Sequence, residues 1–574
     1  GWRGIEHTRM NRRTTKSTKP SVRARSERSA AARASVAHRF GRTVHANAIP
    51  FVLALVFVHV VLSLLALDPT PHTGGDNAGY ITLARSLLDR GAYLELWDPA
   101  EPIHTKYPPV FPLILAGAMA LGVKPWVGLK LIVVAFSALG VAFTFLWIRA
   151  RGRPALAAGV GGLLALSPGI ILQNHWVLSD VPFWGLTMLA LWALGTAPRR
   201  RLSARFALAL IAVVLAYFTR SAGLPVVLAA LAWLALRRRW LQLGVMAGVL
   251  VPLAAWWILR ARSADGVDYT GELWMRNPYN PAEGTIGMLD LLPRIGDNLI
   301  AYVTTHVPVL LIGRPGSAGL VLSIVVTLLA LAGWARRAAR VRRVTVAELM
   351  LPLYIGLIMI WPAVWAGDRF MLPVLTLLLF YAGDALLRIV RRFRPQLVFT
   401  AGAAAVALLA LLQLPTVVLA VRVGRSCQEA YIAGQRHPCL PAQWQAFFAQ
   451  GERLPELLPD GAVVLNRKPR LVHVMSGGRV YSLTYPFTPD PQRFLEFADS
   501  VGARYVLFDE LGRLSQAYLV PVLTRRPAAF CLIDSAGESG TALFGINDNA
   551  LELPDASGIS GPINFPVCDA TLRR

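Results

Sequence analysis

Residues 199–239 read RRRLSARFALALIAVVLAYFTRSAGLPVVLAALAWLALRRR. Arg199, Arg200, Arg201 and Arg205 stand at one end and Arg237, Arg238 and Arg239 at the other. The apolar stretch between them is broken only at Thr219–Arg220–Ser221–Ala222–Gly223–Leu224–Pro225. A bilayer core is about 30 Å thick and takes about 20 residues of helix to span. One continuous helix would put the two arginine clusters on opposite sides, against the rule that Lys/Arg-rich loops stay in the cytoplasm. Two short helices, 204–219 and 222–237, return the chain to its starting side. They hold Arg220 slightly below the outer surface.

The same alternation extends in both directions. Apolar runs at 48–67, 127–148, 155–174, 181–197, 241–260, 317–335, 346–366, 370–388 and 397–421 join this pair to make eleven expected spans. Arg149/Arg151/Arg153, Arg336/Arg337/Arg340/Arg342/Arg343 and Arg388/Arg391/Arg392/Arg394 have no acid among them. The intervening loops hold Asp68, Asp76, Asp180, Glu272, Asp368 and most of the other acids. The first set is therefore expected in the cytoplasm and the second outside. Pro108–Leu121 would make only about 21 Å of helix, and a crossing there would separate Asp76 from Asp180. It reads as a helix lying in the outer interface.

The expected fold is a polytopic α-helical protein of the cell (inner) membrane, with about eleven transmembrane helices plus interfacial ones. The N-terminus is expected in the cytoplasm. Composition agrees: of 574 residues 55% are hydrophobic and 16% charged, against about 25% charged in soluble domains. A formal net charge of +25 could signal nucleic acid, but the basic residues sit in short clusters between apolar runs. Residues 1–47 are basic and poor in aromatics, and are expected to be a disordered cytoplasmic tail near anionic headgroups. The chain begins at Gly1, so its true start is expected upstream.

Residues 48–421 form the expected membrane domain, with outer loops 68–126 and 261–316. Beyond Val421 the pattern changes. Period-two strands at Ala462–Asn466, Arg504–Asp509, Ala529–Asp534 and Thr541–Ile546 alternate with helical stretches near Arg467–Met475 and Pro491–Val501. Residues 422–574 read as a small exported α/β domain. All four cysteines, Cys427, Cys439, Cys531 and Cys568, lie in it, as suits an oxidising compartment. A disulfide is expected between Cys427 and Cys439.

Chemistry is expected at the outer face. Asp76, flanked by Gly74–Gly75 and Gly79, follows the first span, where a carboxylate can take a proton from an incoming hydroxyl or amine. Asp180 opens the next outward turn, with a plain helix cap as its competing role. Lys106 and Tyr107 start the interfacial helix, where they can hold an anionic group, although Lys106 can also simply snorkel. Charge near the membrane interior is costly, so Arg220 and Arg369 are functional candidates. For Arg369 the alternative is an ion pair with Asp368. No Walker motif, zinc spacing, nucleophile elbow or dinucleotide fingerprint is present.

In this order Asp76, YPPVFPL at Tyr107–Leu113, LSDVP at Leu178–Pro182 and DRFMLP at Asp368–Pro373 resemble the GT-C superfamily of polyprenyl-phosphate-sugar-dependent glycosyltransferases. That family includes protein O-mannosyltransferases and the lipid A aminoarabinose and galacturonosyl transferases. The resemblance covers about residues 48–390. It implies an inverting transfer from a membrane-embedded polyprenyl-phosphate sugar donor to a protein, lipid or glycan acceptor. Asp76 would be the catalytic carboxylate, with Asp180 as second acid, and Lys106, Tyr107, Arg220 and Arg369 would hold the donor phosphate. The family often has Asp-Glu where this chain has Asp76–Asn77, so the second acid's role is missing or moved to Asp180. Some branches hold a divalent metal, and the resemblance does not fix one here. The competing readings are a transporter or flippase of lipid-linked sugars and a non-catalytic scaffold. The spans hold few ionisable groups away from their outer ends, which disfavours the first. Asp76 beside a cationic interface disfavours the second.

Overall fold

The computed structural model describes residues 39–199, 201–263, 269–280, 283–536, 540–556 and 564–569. The expected tail lies outside them except for 39–47, and so does Arg200.

The arginine-flanked stretch folds as a hairpin. Helix Ala204–Thr219 stops at Arg220, a 3₁₀ turn Ser221–Gly223 follows, and helix Leu224–Leu236 runs back. A Cβ on Gly223 would lie 2.8 Å from the Tyr217 Cα, so the hairpin closes only on a residue without a side chain. Arg199 Nη2 reaches the Arg237 carbonyl (3.4 Å), and Arg237 Nη2 reaches those of Arg342 (2.8 Å) and Val344 (2.6 Å). Arg151 Nη2 donates to Thr345 Oγ1, while Arg153, Arg337 and Arg388 all pair with Asp384. Every arginine cluster of the described bundle thus gathers at one end. At the other end Arg369 meets Asp76, Arg220 meets Asp180, and Lys130 Nζ donates to the Asp68 and Thr70 carbonyls.

That polarity settles the short helix Val110–Ala120. It begins beside Tyr107 and leads to Lys130, and both of these lie at the site end, so it does not cross. Among the described helices, seven are long and apolar enough to cross a membrane: Ala48–Leu65, Val127–Ala150, Trp240–Arg262, Leu291–Ile312, Ser317–Ala338, Asp368–Phe393 and Pro395–Ile432. The other expected spans are shorter helices. Residues 155–174 break at Ser167, which precedes Pro168, into Pro154–Ala165 and Pro168–Gln173. The run 346–366 stops as helix at Ile360, just before Trp361–Pro362. A residue before proline is driven out of helical conformation.

The described part of the segment 261–316 is largely helical. Tyr269–Trp274 is followed by a continuous helical run, Leu291–Ile312. Its hydrogen-bond partners show how it lies. Asn298 Nδ2 donates to the Met359 and Trp361 carbonyls, Ser167 Oγ donates to the Leu310 carbonyl, and Gln413 Nε2 to that of Leu311. Asn298 thus anchors one end of the run near Trp361, and Leu310 and Leu311 at its other end meet Ser167 and Gln413 part-way along the bundle.

Helix Val398–Ile432 has 35 residues, about 52 Å, and so outruns a bilayer core before Cys427 bonds to Cys439. The C-terminal domain builds one five-stranded mixed sheet from β1 (Val463–Asn466), β2 (Tyr481–Thr484), β3 (Tyr505–Phe508), β4 (Phe530–Ser535) and β5 (Ala542–Ile546), ordered β2-β1-β3-β5-β4. β1 is parallel to β2 and β3, while β5 is antiparallel to β3 and β4. A second disulfide, Cys531–Cys568, ties β4 to the chain's end. The strand β2 was not expected from the pattern. The domain packs on the bundle: the Ser482 amide donates to the Trp97 carbonyl at 2.7 Å, joining β2 to the loop 68–126.

Candidate active site

Asp76 lies in the first turn of helix Gly75–Asp89, where the helix's unpaired amide dipoles favour a negative charge. Three groups from distant parts of the chain converge on it. The Tyr107 hydroxyl donates to Oδ1 at 2.7 Å. Arg369 brings Nη1 and Nη2 to 3.4 and 3.5 Å from Oδ2. Arg470, from helix Pro469–Met475 of the C-terminal domain, has Nη1 3.7 Å from Oδ1. The carboxylate side chain keeps 40% exposure, so a substrate can reach it. Burial pushes its pKa up, but Arg369, Arg470 and the Tyr107 hydrogen bond overcome that and hold it at about 2. It is a carboxylate throughout the physiological range.

Arg470 is fixed tightly. Its Nη1 also donates to the Tyr107 hydroxyl at 2.8 Å, and its guanidinium stands 4.7 Å from the Trp97 ring centre and 5.4 Å from that of Tyr107. A Cβ on Gly79 would come within 3.1 Å of its Cδ, so this glycine makes room for the arginine. Tyr107 therefore relays Arg470 to Asp76. Its pKa is pushed well above the tyrosine range, by burial first, with Arg470 opposing and Asp76 adding to the rise, so the hydroxyl stays a donor.

Asp180 forms a second acid–base pair. It is 2% exposed, and its Oδ2 lies 2.9 Å from Arg220 Nη1. It begins helix Asp180–Thr196, with Ser179 as the cap residue, and its carboxylate serves Arg220 rather than the helix end. Tyr80 joins this pair to the first site: its hydroxyl bonds Ser179 Oγ at 2.7 Å and its ring stacks on Tyr107 at 4.8 Å.

Lys106 does not snorkel. Its Nζ donates to Glu272 Oε1 at 2.7 Å, between the rings of Trp365 (4.7 Å) and Tyr269 (5.4 Å). Burial raises the Glu272 pKa and Lys106 opposes that rise. Arg369 does not pair with Asp368, whose Oδ2 accepts from Gln173 Nε2 instead. Asn77, which follows Asp76, is buried and donates to His72 Nδ1 at 3.0 Å. His72 Nδ1 also accepts from the Gly74 amide. Burial, then Lys130 and Arg369, bring its pKa down to about 3, so the ring is neutral. Asn77 thus braces the loop before Asp76 rather than facing a substrate.

The structure brings Asp76, Tyr107 and Arg369 together, sets Asp180 and Arg220 beside them, and holds Lys106 on the same face through Glu272. Arg470 and Glu272 were missed. The signal for Arg470 is positional: it opens the helix after β1, at the carboxyl ends of parallel strands, where α/β sheets present ligand-binding groups. A divalent cation is poorly served here. Asp76 and Asp180 are each occupied by guanidinium groups, and no three His, Cys, Asp or Glu side chains converge among the described residues.

No family model and no curated protein sequence matches this chain. Solved structures do match by shape. ArnT from Cupriavidus metallidurans in the apo state aligns over 90% of this chain and 100% of its own, with 16% identity and a TM-score of 0.52. The oligosaccharyltransferase from Archaeoglobus fulgidus aligns over 86% of this chain and 73% of its own, with 15% identity and a TM-score of 0.52. At these identities the likeness is one of fold.

Proposed function

We propose that this chain, which has the fold of the GT-C membrane glycosyltransferases, transfers one sugar from a polyprenyl-phosphate donor to an acceptor at the outer face of the cell membrane. The observation that carries this reading is Asp76: an accessible carboxylate ringed by Arg369, Arg470 and Tyr107 at the end of the bundle away from the arginine clusters. With that end outside, the N-terminus is cytoplasmic, the C-terminal domain is extracytoplasmic, and eleven spans connect them.

In the transfer, an acceptor hydroxyl or amine attacks the sugar's anomeric carbon. Its proton passes to Asp76, the bond from that carbon to the phosphate oxygen breaks, and polyprenyl phosphate leaves with the electron pair. Attack from the face opposite the phosphate inverts the anomeric centre. A carboxylate at a pKa of about 2 is a poor base, and Arg369 is the first of the cations that hold it there. A donor phosphate competes for that guanidinium, so donor binding loosens Arg369 from Asp76 and raises the basicity of the carboxylate as the reaction needs it. The same guanidinium then stabilises charge growing on the leaving phosphate. Arg220 is the next cation inward and Lys106 the next along the surface, provided Glu272 yields it.

Mass spectrometry of lipid-linked sugars and envelope glycans, with and without the gene, tests this. Accumulation of one polyprenyl-phosphate sugar together with loss of one decoration supports the reading. Unchanged pools of both contradict it.

A further inference from the structure

At the arginine end, far from Asp76, a second feature has no part in that chemistry. A cavity of about 1550 Å³ opens among helices Pro154–Ala165, Ser317–Ala338, Leu372–Phe393 and Val398–Ile432, larger than the roughly 300–1,000 Å³ of an ordinary small-molecule pocket. Its walls are apolar, with Leu156, Leu379 and Val406 among them, and its rim carries Arg42, Arg153 and Arg391. Phe40 packs edge-on against both Phe51 and Phe399, folding residues 39–46 across one side. Arg153 also lines a smaller adjoining cavity of about 350 Å³ with Arg151, Arg337 and Arg388.

The charges do not balance. Four arginines of the small cavity face two acids, Asp384, which pairs with Arg153, Arg337 and Arg388, and Glu348, 4.0 Å from Arg337. Among the described residues Arg42 and Arg391 have no acidic partner. The buried Arg151 and Arg388 Nε–H groups have no acceptor. Arg42 and Arg391 are exposed and Arg153, Arg337 and Arg388 partly so, so this end presents a net positive charge that attracts an anionic headgroup. Long apolar walls below a basic rim match the two halves of one ligand type, and basic pockets between membrane helices on the cytoplasmic side take anionic headgroups.

We propose that this cavity is a binding site for an anionic glycerophospholipid. Its phosphate sits among Arg42, Arg153 and Arg391, and its acyl chains lie between the helices along Leu156, Leu379 and Val406. The site is separate from the donor site, at the opposite end of the bundle, and its test does not depend on transferase activity.

The test is native mass spectrometry of the full-length chain, stripped of lipid in detergent and titrated with palmitoyl-oleoyl phosphatidylglycerol or with the matching phosphatidylcholine. The expected result is saturable retention of phosphatidylglycerol at one site and not of phosphatidylcholine. Arg42→Ala/Arg391→Ala removes two side chains that hold no acid in the fold, and should weaken retention by about thirtyfold, at about 1 kcal/mol for each basic side chain near an anionic surface and 1.4 kcal/mol per decade. Ala403→Trp, which fills the cavity from helix Val398–Ile432, should abolish retention without moving the melting temperature of the lipid-free protein. Equal retention of the two lipids overturns the proposal, as does unchanged retention in both variants. So does displacement of phosphatidylglycerol by an equimolar polyprenyl phosphate, which would make the cavity a site for the donor's carrier.

Discussion

Replacing Arg470 by alanine separates the role of the C-terminal domain from that of the membrane bundle. The side chain makes a charged hydrogen bond to Tyr107 at 2.8 Å and stands 3.7 Å from Asp76. Losing a hydrogen bond from a charged donor is worth about 1.5–3 kcal/mol. The electrostatic pair with Asp76 is exposed on both sides, 24% and 40%, so solvent screening limits it to about 1 kcal/mol. At 1.36 kcal/mol per pKa unit, Asp76 rises by less than about one unit from about 2 and remains ionised at neutral pH. Arg470→Ala should therefore lower transfer by misplacing Tyr107 and Asp76, not by protonating the carboxylate. The expected outcome is a kcat reduced about ten- to hundredfold, the scale of 1.4–2.8 kcal/mol, with a pH profile unchanged in shape between pH 6 and 9. Arg470→Lys should recover only part, since an ammonium keeps the charge but lacks the planar, many-donor guanidinium that stands over the Trp97 and Tyr107 rings. The assay is steady-state transfer in proteoliposomes at matched protein, with a melting curve for each variant. Turnover within twofold of wild type, or an acid limb that moves into this pH range, would show that Arg470 does not position Tyr107 and Asp76 for transfer.

The other expectations follow from single contacts. Arg369→Ala should reduce kcat by about 10²-fold or more, the effect of losing one pre-organised electrostatic partner, and Arg369→Lys should restore part of it. Asp368→Ala should leave turnover near normal, because Asp368 serves Gln173. Cys427 and Cys439 close a loop of 12 positions, worth about 3 kcal/mol by chain entropy. Peptide mapping without reduction should recover them, and Cys531 with Cys568, as linked pairs. Single cysteines at Lys124 and Asp290 should react with an impermeant thiol reagent from outside intact cells and one at Arg238 should not. Labelling of all three from one side would break the assigned sidedness.

Much of this arrangement was legible in the sequence because charge and length act locally. Arg199–Arg201 and Arg237–Arg239 bracket a stretch too long for one span and too short for two full ones, and the hairpin at Gly223 resolves that conflict. Pro108–Leu121 was short enough to read as non-crossing. Asp76, Tyr107 and Arg369 were read one by one, but their meeting was not, because nothing in a single sequence measures a contact across 293 positions. Arg470 was less visible still. Its bond to Tyr107 spans 363 positions and crosses from one domain to another, and a lone arginine after a short strand looks like any solvated charge. Lys106 looked free because its partner Glu272 comes from a helix inside what read as a loop. The strand β2 was hidden because Tyr481–Thr484 is four residues long with one fully buried side chain, too little for a period-two pattern.

The central claim is that Asp76 takes the acceptor's proton while Arg369 holds the phosphate. It is tested most directly by single-turnover transfer with the purified, reconstituted chain. The donor is the lipid-linked sugar that accumulates in cells lacking the gene, and wild type is compared with Asp76→Asn. Asparagine preserves shape and the hydrogen bond from Tyr107 and removes only the proton-accepting charge. The expected rate is lower by about 10²–10⁴-fold, the contribution of general base catalysis, with the donor still bound and the melting temperature little changed. Transfer by Asp76→Asn within a few-fold of wild type would contradict it and place the base elsewhere in the molecule.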